Sequence, residues 1–136
     1  MILYKNSVIK LDYNPATDIV HVQYPDLYDY LLPEIIHSIN ILIDTVRNYD
    51  IKYLLLDGRQ TVSATKTEEG REIALHLAAS LAKTRLTKLA RLQSYSPEVE
   101  DRAKANVKAI HSTMALPYEL KDFTDEGEAL AWLAHL

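Results

Sequence analysis

Short apolar runs typical of β-strands alternate with longer segments of helical periodicity along this 136-residue chain. Residues 7–13 and 18–24 are rich in β-branched and aromatic residues, and the NPAT sequence between them favours a turn, so they predict an opening β-hairpin. Residues 51–57 (IKYLLLD) form a compact apolar run, which is typical of a strand buried on both faces. We expect this run to be the central strand, with further strands at residues 87–93 and 118–123.

Two helices are predicted between the hairpin and residue 87. Pro33 suits the first turn of the first helix, because that turn has no use for the missing N–H, although Asp29 is an alternative start. The second helix is predicted to begin at Thr65 and Glu68, which have the spacing of a capping box, and to end near residue 84. The apolar stripe of the first helix is Leu32, Ile36, Ile39, Ile43 and Val46.

Two more helices are predicted in the last third of the chain. The SPE sequence at residues 96–98 supplies an N-cap, a first-turn proline and an acid that the helix dipole favours. The helix that follows has a thin apolar stripe, so we expect it to be the least buried. Asp125 and Glu128 form another capping box, and Trp132 in the apolar helix after them is predicted to be largely buried with Leu133 or Leu136.

This order of elements predicts one α/β domain that spans residues 1–136. We expect a single-layer mixed sheet of about five strands, an opening hairpin followed by alternating helices and strands, with four helices flanking the sheet. A chain of this length, with 48% hydrophobic and 25% charged residues, can bury one core without metals or disulfides.

Charge and composition remove several function classes. The formal net charge of -4 provides no general attraction for nucleic acid. The absence of cysteine excludes disulfides and thiolate chemistry and agrees with a reducing compartment, so we expect a cytoplasmic protein. The sequence has neither a secretory leader pattern nor an apolar run long enough for a membrane span.

Catalytic and cofactor motifs are also missing from the sequence. The five histidines are scattered without the spacing of metal ligands, and three glycines are too few for a nucleophile elbow, a P-loop or a dinucleotide fingerprint. We therefore expect no metal, no cofactor and no enzymatic activity.

A polar loop after the predicted central strand is the candidate binding site. Ligands of open α/β sheets bind beyond the carboxyl ends of the strands, and a following helix N-terminus can hold an anion. A phosphate-bearing ligand or an acidic side chain of a partner would suit this loop, whereas the competing interpretation is a solvated loop in which Thr65 only caps the helix. The candidate residues are Asp57, Arg59, Gln60, Thr61, Ser63 and Thr65.

Two other polar segments allow two interpretations each. Tyr28 and Tyr30 lie among acids on an exposed connection, so they are a candidate interaction surface, or they pack over the first helix with their hydroxyls in water. A basic run at residues 83–91 is explained in part by the dipole of the second helix, and an anion site is the alternative.

The element order and four segments of the chain resemble the STAS (SpoIIAA-like) family. These segments are the opening hairpin, ILIDTVRNYDIKYLLLD, LTKLARLQS and the ending KDFTDEGEALAWLAHL, where Phe123, Ala129, Ala131, Trp132 and Leu133 match the family's closing helix. The resemblance implies a non-enzymatic regulatory or binding role. The family's phosphorylatable serine motif has no counterpart in DGRQTVSAT at residues 57–65, so no phosphorylated residue is transferred.

The sequence therefore predicts a non-catalytic regulatory or protein-interaction domain, with another protein as its partner and a symmetric homodimer as its assembly. The alternative is a carrier of a small ligand such as a nucleotide or a lipid, and a small anionic ligand is compatible with either function. A carrier should contain a sizeable apolar pocket, whereas an interaction module should present only an exposed patch.

Overall fold

The computed structural model describes residues 1–26, 28, 31–61 and 67–135, with the side chain of residue 67 left out. The described residues form six strands and four helices. In chain order these are β1 (Ile2–Lys5), β2 (Lys10–Asn14), β3 (Ile19–Gln23), α1 (Leu32–Asn48), β4 (Tyr53–Asp57), α2 (Thr67–Leu81), β5 (Lys88–Leu92), α3 (Pro97–Thr113), β6 (Glu119–Phe123) and α4 (Glu126–Ala134).

The strands lie side by side in the order of the chain, β1-β2-β3-β4-β5-β6. β1, β2 and β3 pair antiparallel, whereas β3 to β6 pair parallel. Each parallel connection moves one strand along the sheet, and right-handed crossovers in one direction place their helices on one face. Accordingly α1, α2 and α3 pack side by side on that face, and α4 packs on the opposite face against β4, β5 and β6.

The α/β class, the mixed sheet and the four helices were predicted correctly, but the strand count was too low. The strand missed was β1, which has only four residues, lies at the edge of the sheet and contains no fully buried side chain. A short edge strand needs only one buried face and carries a weak apolar signal. The central position predicted for residues 51–57 is confirmed, because β4 lies between β3 and β5 with its last four residues buried.

The buried face of α1 differs from the predicted stripe at its first turns. Ile36 is 45% exposed, whereas Ile35 and Leu42 are completely buried. The buried positions 35, 39, 42 and 46 follow the spacing of one helix face, and Ile36 lies beside that face. Because positions 35 and 36 are both isoleucine, the sequence pattern does not decide which of the two side chains faces the core.

The two predicted helix caps that lie within the described residues are confirmed. The Ser96 hydroxyl accepts a hydrogen bond from the Val99 amide, and the Asp125 carboxylate accepts one from the Glu128 amide. Thr65, the predicted cap of α2, lies outside the described residues, which include the helix from Thr67 to Leu81. α3 buries only Glu100 and Ile110, so its predicted shallow burial is confirmed.

The sheet separates two apolar cores. The larger core joins β2 to β5 with α1 and α2 and includes Leu54, which is completely buried. The smaller core lies under α4 and joins Leu55 to Leu133. Trp132 packs beside Leu133 against this smaller core and keeps part of its ring exposed, so its predicted burial is confirmed in part. Within the part of the chain that the structure describes, no helix has the length and apolar character needed to cross a membrane.

Candidate functional site

Backbone hydrogen bonds join the segments that follow β3, β4 and β5. The Tyr24 amide donates to the Asp57 carbonyl at 2.8 Å, the Gly58 amide donates to the Leu92 carbonyl at 3.0 Å, and the Tyr95 amide donates to the Arg59 carbonyl at 3.2 Å. A Cβ atom at position 58 would lie 3.0 Å from the Leu92 carbonyl oxygen, so this close approach favours glycine over any residue with a side chain. The carboxyl edge of the sheet is therefore a fixed framework, with a polar cluster on one face and a cleft on the other.

The polar cluster lies at the beginning of α4 and is built from His21, Asp57, Arg59 and Glu126. Arg59 donates to both oxygens of Asp57 through Nε at 3.0 Å and NH2 at 2.8 Å, and its NH2 also donates to Glu126 at 3.1 Å. His21 Nε2 lies 2.9 Å from Asp57 Oδ2, and its Nδ1 lies 3.9 Å from Glu126 Oε1. The cluster thus ties β3, the end of β4 and α4 together.

Electrostatics keep Asp57 ionised in this cluster. Burial by itself would raise the pKa of Asp57, but hydrogen bonds from Arg59 and His21 outweigh it and lower the pKa to about 2. Histidine and carboxylate oxygens are ligands that zinc accepts, and donor atoms of His21, Asp57 and Glu126 lie within 4.8 Å of one another. The Arg59 guanidinium already donates hydrogen bonds to both carboxylates, so a divalent ion would have to displace it.

The cleft lies on the other face, between α2 and α3 above β5, and we call it the α2–α3 cleft. Its volume is about 130 Å³, and most of its lining is apolar. It exists because short side chains on the two helices, such as Ala74 and Ala103, leave the sheet beneath them incompletely covered. Representative lining residues are Leu56, Ala74, Leu77, Leu89, Ala103 and Val107.

A buried ion-pair network forms one wall of the α2–α3 cleft. Arg91 on β5 donates to the two carboxylate oxygens of Glu100 at 3.1 and 2.5 Å, and it donates to Asp122 at 3.0 and 3.1 Å. Asp122 lies directly opposite Arg91 in the register of β5 and β6. Burial opposes the charge of Arg91, but the hydrogen bonds from Arg91 to Glu100 and Asp122 raise the pKa of its guanidinium.

Uncharged polar groups also line the α2–α3 cleft, with Tyr24, Thr61 and Ser94 near Arg91 and Tyr118 toward the other end, level with the start of β5. Burial raises the pKa of the Tyr24 phenol to about 12 although the nearby positive charge of Arg91 opposes this shift, and burial also raises the pKa of Tyr118 to about 12. The Ser94 hydroxyl donates to the Thr61 carbonyl at 2.6 Å, and the Thr61 hydroxyl donates to the Tyr24 carbonyl at 2.9 Å. Both phenols are therefore neutral near physiological pH. The Tyr118 hydroxyl already donates to the Ala78 carbonyl at 3.1 Å, whereas the Tyr24 hydroxyl has no hydrogen-bond partner among the described residues.

The residues of the predicted binding loop are divided between the two faces. Asp57 and Arg59 belong to the polar cluster, Thr61 lines the cleft, and Gln60 is exposed. Ser63 and Thr65 lie outside the described residues. Anion binding at this loop stays a prediction, and the carboxylates around Arg59 would compete with an incoming anion.

The other polar segments predicted from the sequence have separate positions. Tyr28 is 37% exposed at the segment before α1, and Tyr30 lies outside the described residues. In the basic run, Arg85 lies 3.6 Å from Asp50, Lys88 donates to the Trp132 carbonyl at the end of α4, and Arg91 is buried beside the cleft. No pattern in the sequence indicated the roles of Tyr24, Arg91 and Glu100, and the thin apolar stripe of α3 was the one signal of the cleft.

Comparison of the chain with models of protein families, with curated proteins and with solved structures gave no significant match.

Proposed function

We propose that this domain binds a small, mostly apolar ligand in the α2–α3 cleft. The observation that carries the proposal is the apolar cleft itself, with a few polar groups at one end. Ligand sites in proteins are typically apolar concavities in which a small number of placed polar groups fix the orientation of the ligand. A carrier of a small ligand is the alternative function that the sequence left open. An apolar pocket is expected in a carrier and not in an interaction module, so the cleft supports the carrier function.

Three side chains that line the cleft support the proposal through their altered pKa values. Tyr24, Arg91 and Tyr118 all line the cleft, and the pKa of each is raised. Groups with shifted pKa values inside a cleft are associated with functional sites. The cleft also lies beside the carboxyl edge of the parallel strands, the edge at which open α/β sheets bind ligands.

The first test fills the cleft without changing its charge. Ala103→Leu places an isobutyl group in the cleft, whereas Ala105→Leu places the same group on the exposed face of α3 and serves as the matched control. Native mass spectrometry of the purified wild type and of the Ala105→Leu variant should show a copurified small molecule that Ala103→Leu lacks.

Toluene titration followed by NMR supplies a probe that does not depend on copurification. Toluene should shift the methyl resonances of Leu77 and Ile110 in the wild type, and Ala103→Leu should abolish these shifts. Equal shifts in the wild type and in Ala103→Leu, or none in either protein, would contradict binding in the cleft.

A non-catalytic regulatory or protein-interaction domain of the STAS type is the second candidate, and one surface favours it. Tyr28 and Ile36 are both more than a third exposed, and the Leu31 amide donates to the Tyr28 carbonyl at 2.9 Å, which places Tyr28 next to the start of α1. Exposed large side chains of this kind suit an interface, here with a second copy of the chain.

Light scattering tests this second candidate. The wild type should have twice the 15.5 kDa mass of one chain, and Ile36→Asp should reduce the mass to one chain. Ile2→Asp, at an exposed position on β1, is the control that should leave the dimer intact. A wild type with the mass of one chain at micromolar concentration excludes the dimer.

A further inference from the structure

We infer that the ligand of the α2–α3 cleft is an uncharged molecule of about the size of a single ring, with one hydrogen-bonding group such as an alcohol or an amide. This inference rests on the proposed function and narrows it. It disfavours nucleotides and fatty-acid anions as occupants.

The charges beside the cleft oppose an anionic ligand. Arg91 is the buried cation of the cleft wall, and the carboxylates of Glu100 and Asp122 already accept hydrogen bonds from its Nε, NH1 and NH2 atoms. One guanidinium and two carboxylates give this network a formal charge of minus one. The Arg102 guanidinium, which also lines the cleft, lies 3.1 Å from the Glu98 carboxylate. A ligand carboxylate would lose its hydration and meet carboxylates instead of an unpaired cation.

The hydrogen-bonding groups that remain available are uncharged. The Tyr24 hydroxyl and the Asn106 side-chain amide both line the cleft. Among residues 1–26, 28, 31–61 and 67–135, neither group has a hydrogen-bond partner. A phenol and an amide can donate to and accept from an alcohol or an amide of a ligand without any transfer of charge. A site built to pair with such a group discriminates against molecules that lack it.

The size of the cleft sets the size of the ligand. An apolar cavity of roughly 150 Å³ in another protein holds one benzene molecule. The α2–α3 cleft has about 130 Å³, so it accommodates a single ring or a short branched chain. A nucleotide is much larger than this volume, and its phosphates would add the charge that the cleft wall opposes.

Four ligands that have the same aromatic ring but different polar groups distinguish the effect of ligand charge from the effect of ligand shape. Toluene, benzyl alcohol, benzoate and benzylamine should be titrated into the full chain at neutral pH and followed by NMR. We expect benzyl alcohol to bind roughly threefold to tenfold more tightly than toluene, which is the usual net gain from one hydrogen bond. Benzoate and benzylamine should each bind at least about tenfold more weakly than benzyl alcohol, because both lose hydration of a charge.

Tyr24→Phe tests whether the hydroxyl recognises the ligand. This variant keeps the ring and should bring the affinity for benzyl alcohol down to that for toluene, while the affinity for toluene stays unchanged. Tyr95→Phe removes a hydroxyl from a side chain that is 67% exposed and should change neither affinity. A purely structural role for Tyr24 would change both affinities together and overturn its role in recognition.

The outcomes distinguish this inference from the proposed function. If toluene fails to bind, the proposed function fails and the inference fails with it. If toluene binds but benzoate or benzylamine binds as tightly as benzyl alcohol, the cleft is a ligand site for charged molecules and only the inference on ligand class is overturned.

Discussion

Arg91 on β5 and Glu100 in the first turn of α3 form a double hydrogen bond across the interface between sheet and helix, with at most a tenth of either side chain exposed. Glu100 also accepts a hydrogen bond from the Ser94 amide at 2.9 Å. This pair connects the shallowly packed helix α3 to the sheet and forms one wall of the α2–α3 cleft.

Glu100→Gln should therefore destabilise the protein strongly. Glutamine keeps one acceptor oxygen but replaces the other with an NH2 group that faces the Arg91 guanidinium, and it removes the negative charge; breaking a buried ion pair costs about 3 kcal/mol or more. Urea unfolding should show a lower midpoint at the same slope. Glu98→Gln is the matched control, because Glu98 lies on the same helix with a side chain that is 77% exposed, and its midpoint should stay close to that of the wild type. Equal midpoints for the two variants would contradict a stabilising role for the buried pair.

Asp57 should make the stability of the domain sensitive to acid. The folded-state pKa of about 2 lies below the ordinary value of 3.8, so the ionised carboxylate stabilises the fold above about pH 4, and this contribution is lost as the pH falls toward 2. A difference of about two pKa units corresponds to a contribution on the order of 2 kcal/mol.

Urea unfolding across this pH range measures the contribution of Asp57. Asp57→Asn should be less stable than the wild type at neutral pH and should approach it at the acid end. Asp12→Asn, at an exposed carboxylate, is the control that should keep the pH profile of the wild type. A profile for Asp57→Asn that runs parallel to that of the wild type between about pH 4 and 2 would sink the prediction.

The two apolar side chains near the end of α4 should differ in their contributions to stability. Leu133 is completely buried in the smaller core, so Leu133→Ala should cost about 3 kcal/mol. Trp132 is partly exposed. The centroid of its ring lies 5.6 Å from that of the Phe123 ring and 5.1 Å from Lys88 Nζ. Trp132→Ala should cost less, roughly 1–2 kcal/mol, because truncation of a partly exposed ring opens no enclosed cavity. Denaturant melts that rank the two variants in the opposite order would contradict this.

Gly58→Ala should destabilise the carboxyl edge of the sheet. The new methyl group would lie 3.0 Å from the Leu92 carbonyl oxygen, so the hydrogen bond between the Gly58 amide and that carbonyl has to lengthen. We expect a loss of about 1–3 kcal/mol, measured by thermal or urea unfolding. At Gly127 the nearest atom to an added Cβ is the Asp125 carboxylate oxygen that caps α4, at 3.1 Å, so the contact is with a side chain and not with the backbone. Because a small rotation of that side chain relieves the contact and alanine favours a helix, Gly127→Ala should cost less. A larger loss at position 127 than at position 58 would argue against a rigid contact at Gly58.

The sequence by itself determined the class of the fold, because periodicity and capping are local properties. The continuous apolar run before Asp57 predicted the central strand, and the side chains of Ser96 and Asp125 marked the starts of α3 and α4. Local pattern did not predict the short strand β1, because an edge strand carries a weak apolar signal. It also did not predict the exposure of Ile36, because a helix with a broad apolar face does not show which of two neighbouring apolar residues faces the core.

The candidate site was decided by tertiary structure. Arg91 and Glu100 are nine positions apart, yet their pairing depends on how α3 packs over the sheet, and Asp122 joins them only through the register of β5 and β6. Arg91 therefore looked like one member of a basic run, although the fold places it in a buried ion-pair network. The α2–α3 cleft arises in the same way, because the space between two helices depends on how their short side chains face each other, and this packing involves residues far apart in sequence.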